Sequence, residues 1–175
     1  MLIAIIIAVI ILIPLIAAAV MSEDYVIVAD LNINKPLREV FDFVKSLRNG
    51  EKFNKWVMAD PNLRKEFIGT DGTVGFVYKW DSDMKNVGQG EQEITGITEG
   101  QSITYEIRFI KPFANIAGST IVTQPAGDGT TNVSWSFFGK RTFGMRIFHF
   151  LFNLKKVLKK DLHTSLVNLK NILEK

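Results

Sequence analysis

The first 21 residues, MLIAIIIAVIILIPLIAAAVM, are apolar without a charged side chain, a pattern found nowhere else in the chain. A helix over this run, at about 1.5 Å rise per residue, reaches roughly 30 Å, the thickness of a bilayer's hydrocarbon core. Pro14 falls mid-run, where membrane helices tolerate proline better than helices in water. The pattern predicts one transmembrane anchor over 1–21, followed by a folded domain over 22–175. A cleaved signal peptide is the alternative, since Ala17, Ala18 and Ala19 offer small residues to a peptidase. No Lys or Arg precedes the run, and it is longer than a usual h-region, which favours a retained anchor.

After the anchor the period changes to two. YVIVADLNI (25–33) alternates Val26 and Val28 against Ile27 and Ala29, the writing of a strand with two unlike faces. Asn34-Lys35-Pro36 then starts a helix, with Asn34 as cap and Pro36 early in the first turn. Leu37, Val40, Phe41, Val44 and Leu47 follow at helical spacing, and Asn49-Gly50 closes the segment. A shorter helix or turn covers GEKFNKWVM and ends at Asp60-Pro61-Asn62. Six strands of an antiparallel meander are predicted next, over 64–68, 74–80, 90–98, 102–110, 119–124 and 131–139. The pieces between them are rich in Gly, Asp, Asn and Pro, as turns require.

The last regime has a helical period. Leu151, Leu154, Leu158, Leu162, Leu166, Leu169 and Leu173 recur in steps of three and four over 144–173, predicting one long amphipathic helix. Lys155, Lys156, Lys159 and Lys160 occupy an adjacent arc. The order of elements predicts an α+β domain, a curved antiparallel sheet wrapped around the C-terminal helix, which buries every apolar stripe at once.

Composition sharpens this only in places. With 47% hydrophobic and 22% charged residues in 175, one globular domain with a real core is expected. Residues 22–139 carry 12 Lys and Arg against 16 Asp and Glu, whereas residues 140–175 carry 9 against 2. The net charge of +3 therefore belongs to the C-terminal segment. Those lysines make a solvated helix face or, beside a bilayer, attract anionic lipid. Lys35 and Arg38 near the anchor lean toward a cytoplasmic domain, but the nearest charges, Glu23 and Asp24, count for little in that rule. The sequence leaves the side open.

The chain has no cysteine and two histidines, His149 and His163. On one helix they lie about 21 Å apart along the axis, too far to share a metal, and both are expected at the surface. No metal, cofactor, phosphate-loop or nucleic-acid motif is present, so no cofactor, metal or nucleic-acid partner is expected. The best catalytic candidates are Glu91 and Glu93, two apart on one strand and so on one face. Lining an apolar cavity, they would be pushed up in pKa and suit acid–base work. Facing water, they would pair with Lys79 or Arg108 as cross-strand charges. Catalysis is the weaker of these alternatives.

The same pieces resemble a known family. PLREVFDFVKSLRN, DPN (60–62), VGFVYKW followed by GQGEQEIT, YEIRFIKPF, TNVSWSF and DLHTSLVNLKNILE stand in the order of the SRPBCC superfamily, whose START-like domains share the helix-grip fold. The resemblance covers 24–174 and is nearest to the polyketide cyclase/dehydrase-like branch. Related sequences often carry Trp-Ser-Pro-Trp where this chain has Phe53-Asn54-Lys55-Trp56, so the cavity lip differs here. An apolar cavity between sheet and long helix, holding a lipid, sterol, polyketide or other hydrophobic molecule, is what the resemblance implies. The residues expected at it are Trp56, Phe76, Tyr78, Trp80, Tyr105, Ile107, Phe109, Trp135, Phe137, Leu158 and Leu162, with Glu91 or Arg108 orienting a polar head. Tyr78, Trp80, Tyr105 and Trp135 add polar handles to an apolar wall. A membrane helix before such a domain also resembles a recurrent bacterial arrangement. The expectation is a single-pass protein of a bacterial cell membrane that binds a hydrophobic small molecule. The alternatives are a small cyclase, dehydratase or hydrolase using Glu91 and Glu93, and a ligand-free protein-interaction module.

Overall fold

The alternating stretches after residue 24 become seven strands of one antiparallel sheet. The computed structural model describes residues 1–175 apart from the side chain of Ala4. Strands β1 (Asp24–Ile33), β2 (Arg64–Ile68), β3 (Val77–Asp81), β4 (Gln89–Thr98), β5 (Ser102–Lys111), β6 (Asn115–Pro125) and β7 (Thr131–Lys140) pair in the order β1-β7-β6-β5-β4-β3-β2. Each meander strand pairs with its predecessor, and β1 closes the far edge against β7, Ile27 opposite Phe137. Helix α1 (Leu2–Val20) precedes β1, α2 (Leu37–Lys45) and α3 (Gly50–Phe53) follow it, and α4 (Phe143–Phe152) and α5 (Leu154–Leu173) end the chain.

One face of the sheet is covered by α5. Leu162, Leu166 and Leu169 have no exposed surface and meet Ile27, Ile33, Val133 and Trp135. Each such leucine contributes about 1.5–3 kcal/mol relative to an exposed one. Val40, Phe41 and Val44 of α2 close the same core. The α+β, sheet-on-helix architecture expected from the pattern is the one observed.

Four local expectations are corrected. The C-terminal helix is two helices, because Asn153 takes a left-handed conformation (φ 46°, ψ 46°), which asparagine tolerates better than most residues. Leu151 consequently leaves the leucine stripe and stands exposed. His149 is buried beside Tyr25 and Arg141 rather than exposed. Asn34 does not cap α2; Pro36 holds that position, and the Asn34 amide donates to Glu174. Nor does α2 run to Asn49-Gly50: it ends at Lys45, and the Asp71 carboxylate accepts from the Leu47 amide at 2.8 Å, while Gly50 begins α3 as the short helix expected over GEKFNKWVM.

Among the described residues, no helix is long and apolar enough to cross a membrane. The anchor expected over 1–21 thus rests on the sequence pattern. The side chains of α1 from Ile5 to Ile13 are largely exposed, and among its described side chains only Ala18, near the C-terminal end, is fully buried.

Candidate functional site

Between the sheet and the first turns of α5 lies a cavity of about 470 Å³. Its sheet wall is made by inward positions of successive strands. Tyr78 and Trp80 come from β3, Ile107 and Phe109 from β5, Trp135 and Phe137 from β7. Alternation puts these on one face, and the antiparallel register brings them side by side. Trp80 and Phe109 meet edge to face, with centroids 6.0 Å apart and planes at 78°. Tyr78 stacks on Trp80 at 6.0 Å. Gly90 makes this wall possible, because a Cβ there would lie 2.5 Å from the Trp80 ring and 2.6 Å from the Arg108 carbonyl oxygen.

The opposite wall and the rim come from the 54–63 segment and α5. Trp56 leans edge-on to Trp135 at 6.3 Å, and Leu158 completes the apolar lining. At the rim Lys55 Nζ donates to the Asp161 carboxylate, and the Lys55 amide donates to Ser165 Oγ at 3.0 Å. This pair ties the segment after α3 to α5 at the cavity edge. A second cavity of about 20 Å³ lies beyond Tyr78, lined in part by Val44, Phe53 and Tyr105, room for about one water molecule.

The polar handles are mostly spent inside the protein. Trp135 Nε1 donates to Ser119 Oγ at 2.8 Å, and Ser119 Oγ donates to the Ser136 carbonyl at 2.9 Å. Trp80 Nε1 donates to the Val87 carbonyl at 3.4 Å, and the Tyr105 hydroxyl to that of Val44 at 3.4 Å. The buried Tyr78 hydroxyl has no partner among the described residues. Burial raises the pKa of Tyr78 and Tyr105 well above the usual tyrosine value, so both are neutral phenols.

Of the residues expected at the cavity, Trp56, Tyr78, Trp80, Ile107, Phe109, Trp135, Phe137 and Leu158 line it. Phe76 and Leu162 are core side chains, and Tyr105 faces the small cavity. Glu91, Glu93 and Arg108 lie elsewhere, on the face of the sheet opposite the cavity. There Arg108 Nη2 donates to Glu93 at 2.8 Å, Nε donates to Glu91, and Nη1 donates to Glu106. The carboxylates raise the arginine pKa further above its ordinary value through these hydrogen bonds. The cross-strand alternative was the correct placement, with Arg108 as partner; Lys79 pairs with Glu66 instead, at 3.8 Å.

The sequence reading missed Asn54, Lys55, Asn86, Gln92, Ser119 and Asp161, the polar side chains that stand among the aromatic and aliphatic lining. Gln92 was within reach, since it lies between Glu91 and Glu93 and so must point the other way. The Lys55–Asp161 pair spans 106 positions and leaves no local signal.

A single antiparallel sheet gripping a C-terminal helix around an aromatic cavity is the architecture of a helix-grip domain. The family model described as polyketide cyclase / dehydrase and lipid transport matches residues 27–174, and the chain belongs to that family. No curated protein matches it. Among solved structures it is similar to protein MLL2253 from Mesorhizobium loti (15% identity, TM-score 0.63, 86% of this chain and 97% of that one). It is also similar to protein CV1439 from Chromobacterium violaceum (14%, TM-score 0.60, 86% and 97%). A third is the di-domain ARO/CYC BexL from the BE-7585A biosynthetic pathway (14%, TM-score 0.62), of which the chain covers 53% and is itself covered over 91%. At these identities the likeness is one of fold.

Proposed function

We propose that this protein binds a hydrophobic small molecule or lipid in the cavity between its sheet and α5, and that α1 tethers it to a membrane. The observation that carries the binding reading is the 470 Å³ aromatic cavity with a polar rim at one end. An apolar, concave site with a few polar groups is the usual form of a small-molecule site. Burial of the ligand against Trp80, Phe109, Trp135 and Leu158 supplies affinity, and Gln92, Lys55 and Asp161 orient a polar end. The tether is supported by the uncharged run of 1–21 and by the exposure of its side chains. Membership of a family described by cyclase, dehydrase and lipid transport is consistent with binding, and fold alone does not assign chemistry.

The test is native mass spectrometry of the full chain released from detergent or nanodiscs, followed by solvent extraction. A reproducible bound mass of an apolar compound is the expected result. A ligand-free mass that takes up no added lipid or isoprenoid would overturn the binding reading.

A further inference from the structure

We propose that α4 is an interfacial helix whose Phe148, Leu151 and Phe152 enter the headgroup–acyl boundary of an anionic bilayer, holding the cavity rim against that surface. The inference rests on α1 as tether and adds a second, separate contact with the same membrane.

Four observations lead there. Phe148, Leu151 and Phe152 are 52%, 56% and 56% exposed, and the rings of Phe148 and Phe152 touch, 4.4 Å between centroids. At i, i+3 and i+4 they form one continuous apolar patch, of the kind that marks an interaction surface. A few residues further along the chain, in the first turns of α5, Lys155, Lys156, Lys159 and Lys160 stand exposed. The ion pairs of 140–175 among the described residues are made by Arg146, Asp161 and Lys170 instead. An apolar face flanked by lysines is how a helix lying in a membrane surface is built.

Position adds the third observation. Arg146 Nη1 donates to the Met21 carbonyl at 3.0 Å and Arg141 Nη2 to that of Ser22 at 2.8 Å. These bonds fix α4 at the end of α1, where a chain leaving a bilayer meets the interface. The fourth is the rim itself: Leu158 and Asp161, both in the cavity lining, share turns of α5 with the lysines. A ligand could pass between bilayer and cavity without crossing bulk water.

Charge selects the occupant. A second copy would bring nine Lys and Arg against two Asp and Glu in residues 140–175 face to face with the same set. An anionic phospholipid surface complements it.

The chain has no cysteine, so single labels can be placed cleanly in the full-length protein. Phe152→Cys, Ile10→Cys and Asp128→Cys variants would carry an environment-sensitive fluorophore. Each would be reconstituted into phosphatidylcholine vesicles with or without phosphatidylglycerol, with brominated acyl chains as quencher. The expected result is a blue shift and quenching at position 152, severalfold stronger with phosphatidylglycerol, and neither at 128. Changing the four lysines to Gln should remove the dependence on phosphatidylglycerol while position 10 stays quenched. Quenching at 10 without quenching at 152 would overturn the interfacial helix and leave the tether standing. Absence of quenching at both would overturn both. A blue shift at 152 that brominated lipid does not quench would place the patch against another copy and overturn the proposal.

Discussion

Arg108 reaches Glu93 across the strand pair at 2.8 Å, on the side of the sheet that the cavity does not touch. The guanidinium also holds Glu91 and Glu106, so the carboxylates are acceptors in a part-exposed network. Changing Glu91 and Glu93 together to Gln should leave ligand uptake within about twofold. It should lower stability by about 1 kcal/mol at most, the range of such surface pairs. Uptake would be followed by native mass spectrometry and stability by urea unfolding; loss of uptake with an unchanged fold would return these residues to the site.

Ile107 offers a direct test of the hollow. It lies half-buried on β5 and faces the cavity between Trp80 and Trp135. Filling empty space with a larger apolar side chain relieves lost contacts instead of creating overlap. Ile107→Trp should therefore reduce ligand uptake at least about tenfold, equivalent to about 1.4 kcal/mol of binding. The thermal midpoint should stay the same or rise. A large fall in the midpoint would mean that the space is already filled.

The rim pair is a test of coupling. The Asp161 side chain is only 12% exposed, while that of Lys55 is 45% exposed. Lys55→Met leaves a largely buried carboxylate without its donor, at a cost of about 1–3 kcal/mol. Adding Asp161→Leu removes the orphaned charge and should recover most of that loss. Denaturant midpoints of the two single variants and the double would measure it. Simple additivity would show that the pair carries no coupling.

How much of this was legible in the sequence depends on the range of the interaction. Strand positions were readable because alternation is local: 64–68 and 131–139 differ from the observed β2 and β7 by at most a residue at an end. Six of the eight cavity residues, those on β3, β5 and β7, were readable for the same reason, because inward faces follow from period two; Leu158 followed from the helical period instead. The break at Asn153 was not readable, since helical spacing continues across it and a single left-handed residue leaves no periodic trace. Glu91 and Glu93 were correctly placed on one face. Which face became clear only with Gln92 lining the cavity between them. His149 was read by its helix alone, and its burial comes from Tyr25 and Arg141, which tertiary packing brings in.

That packing makes His149 a pH-dependent element of the fold. Its ring lies 5.4 Å from that of Tyr25, and Nδ1 lies 3.5 Å from Arg141 Nη1. Glu23, whose backbone carbonyl accepts from the Arg141 amide, has its carboxylate paired with Arg146 at 3.7 Å. Burial first, and the Arg141 charge second, lower the His149 pKa below its ordinary value of 6.5. Between the lowered value and 6.5 the unfolded chain binds more protons than the folded one, so stability rises with pH there. The contribution is complete above 6.5 and is lost as pH falls through the folded value. Going from about pH 7.5 to about pH 5.5, where ordinary carboxylates remain ionised, the thermal midpoint should fall. His149→Leu, which keeps an apolar side chain beside Tyr25 and does not titrate, should flatten that dependence. An equal fall in the variant would assign the pH effect to other groups and leave His149 as packing alone.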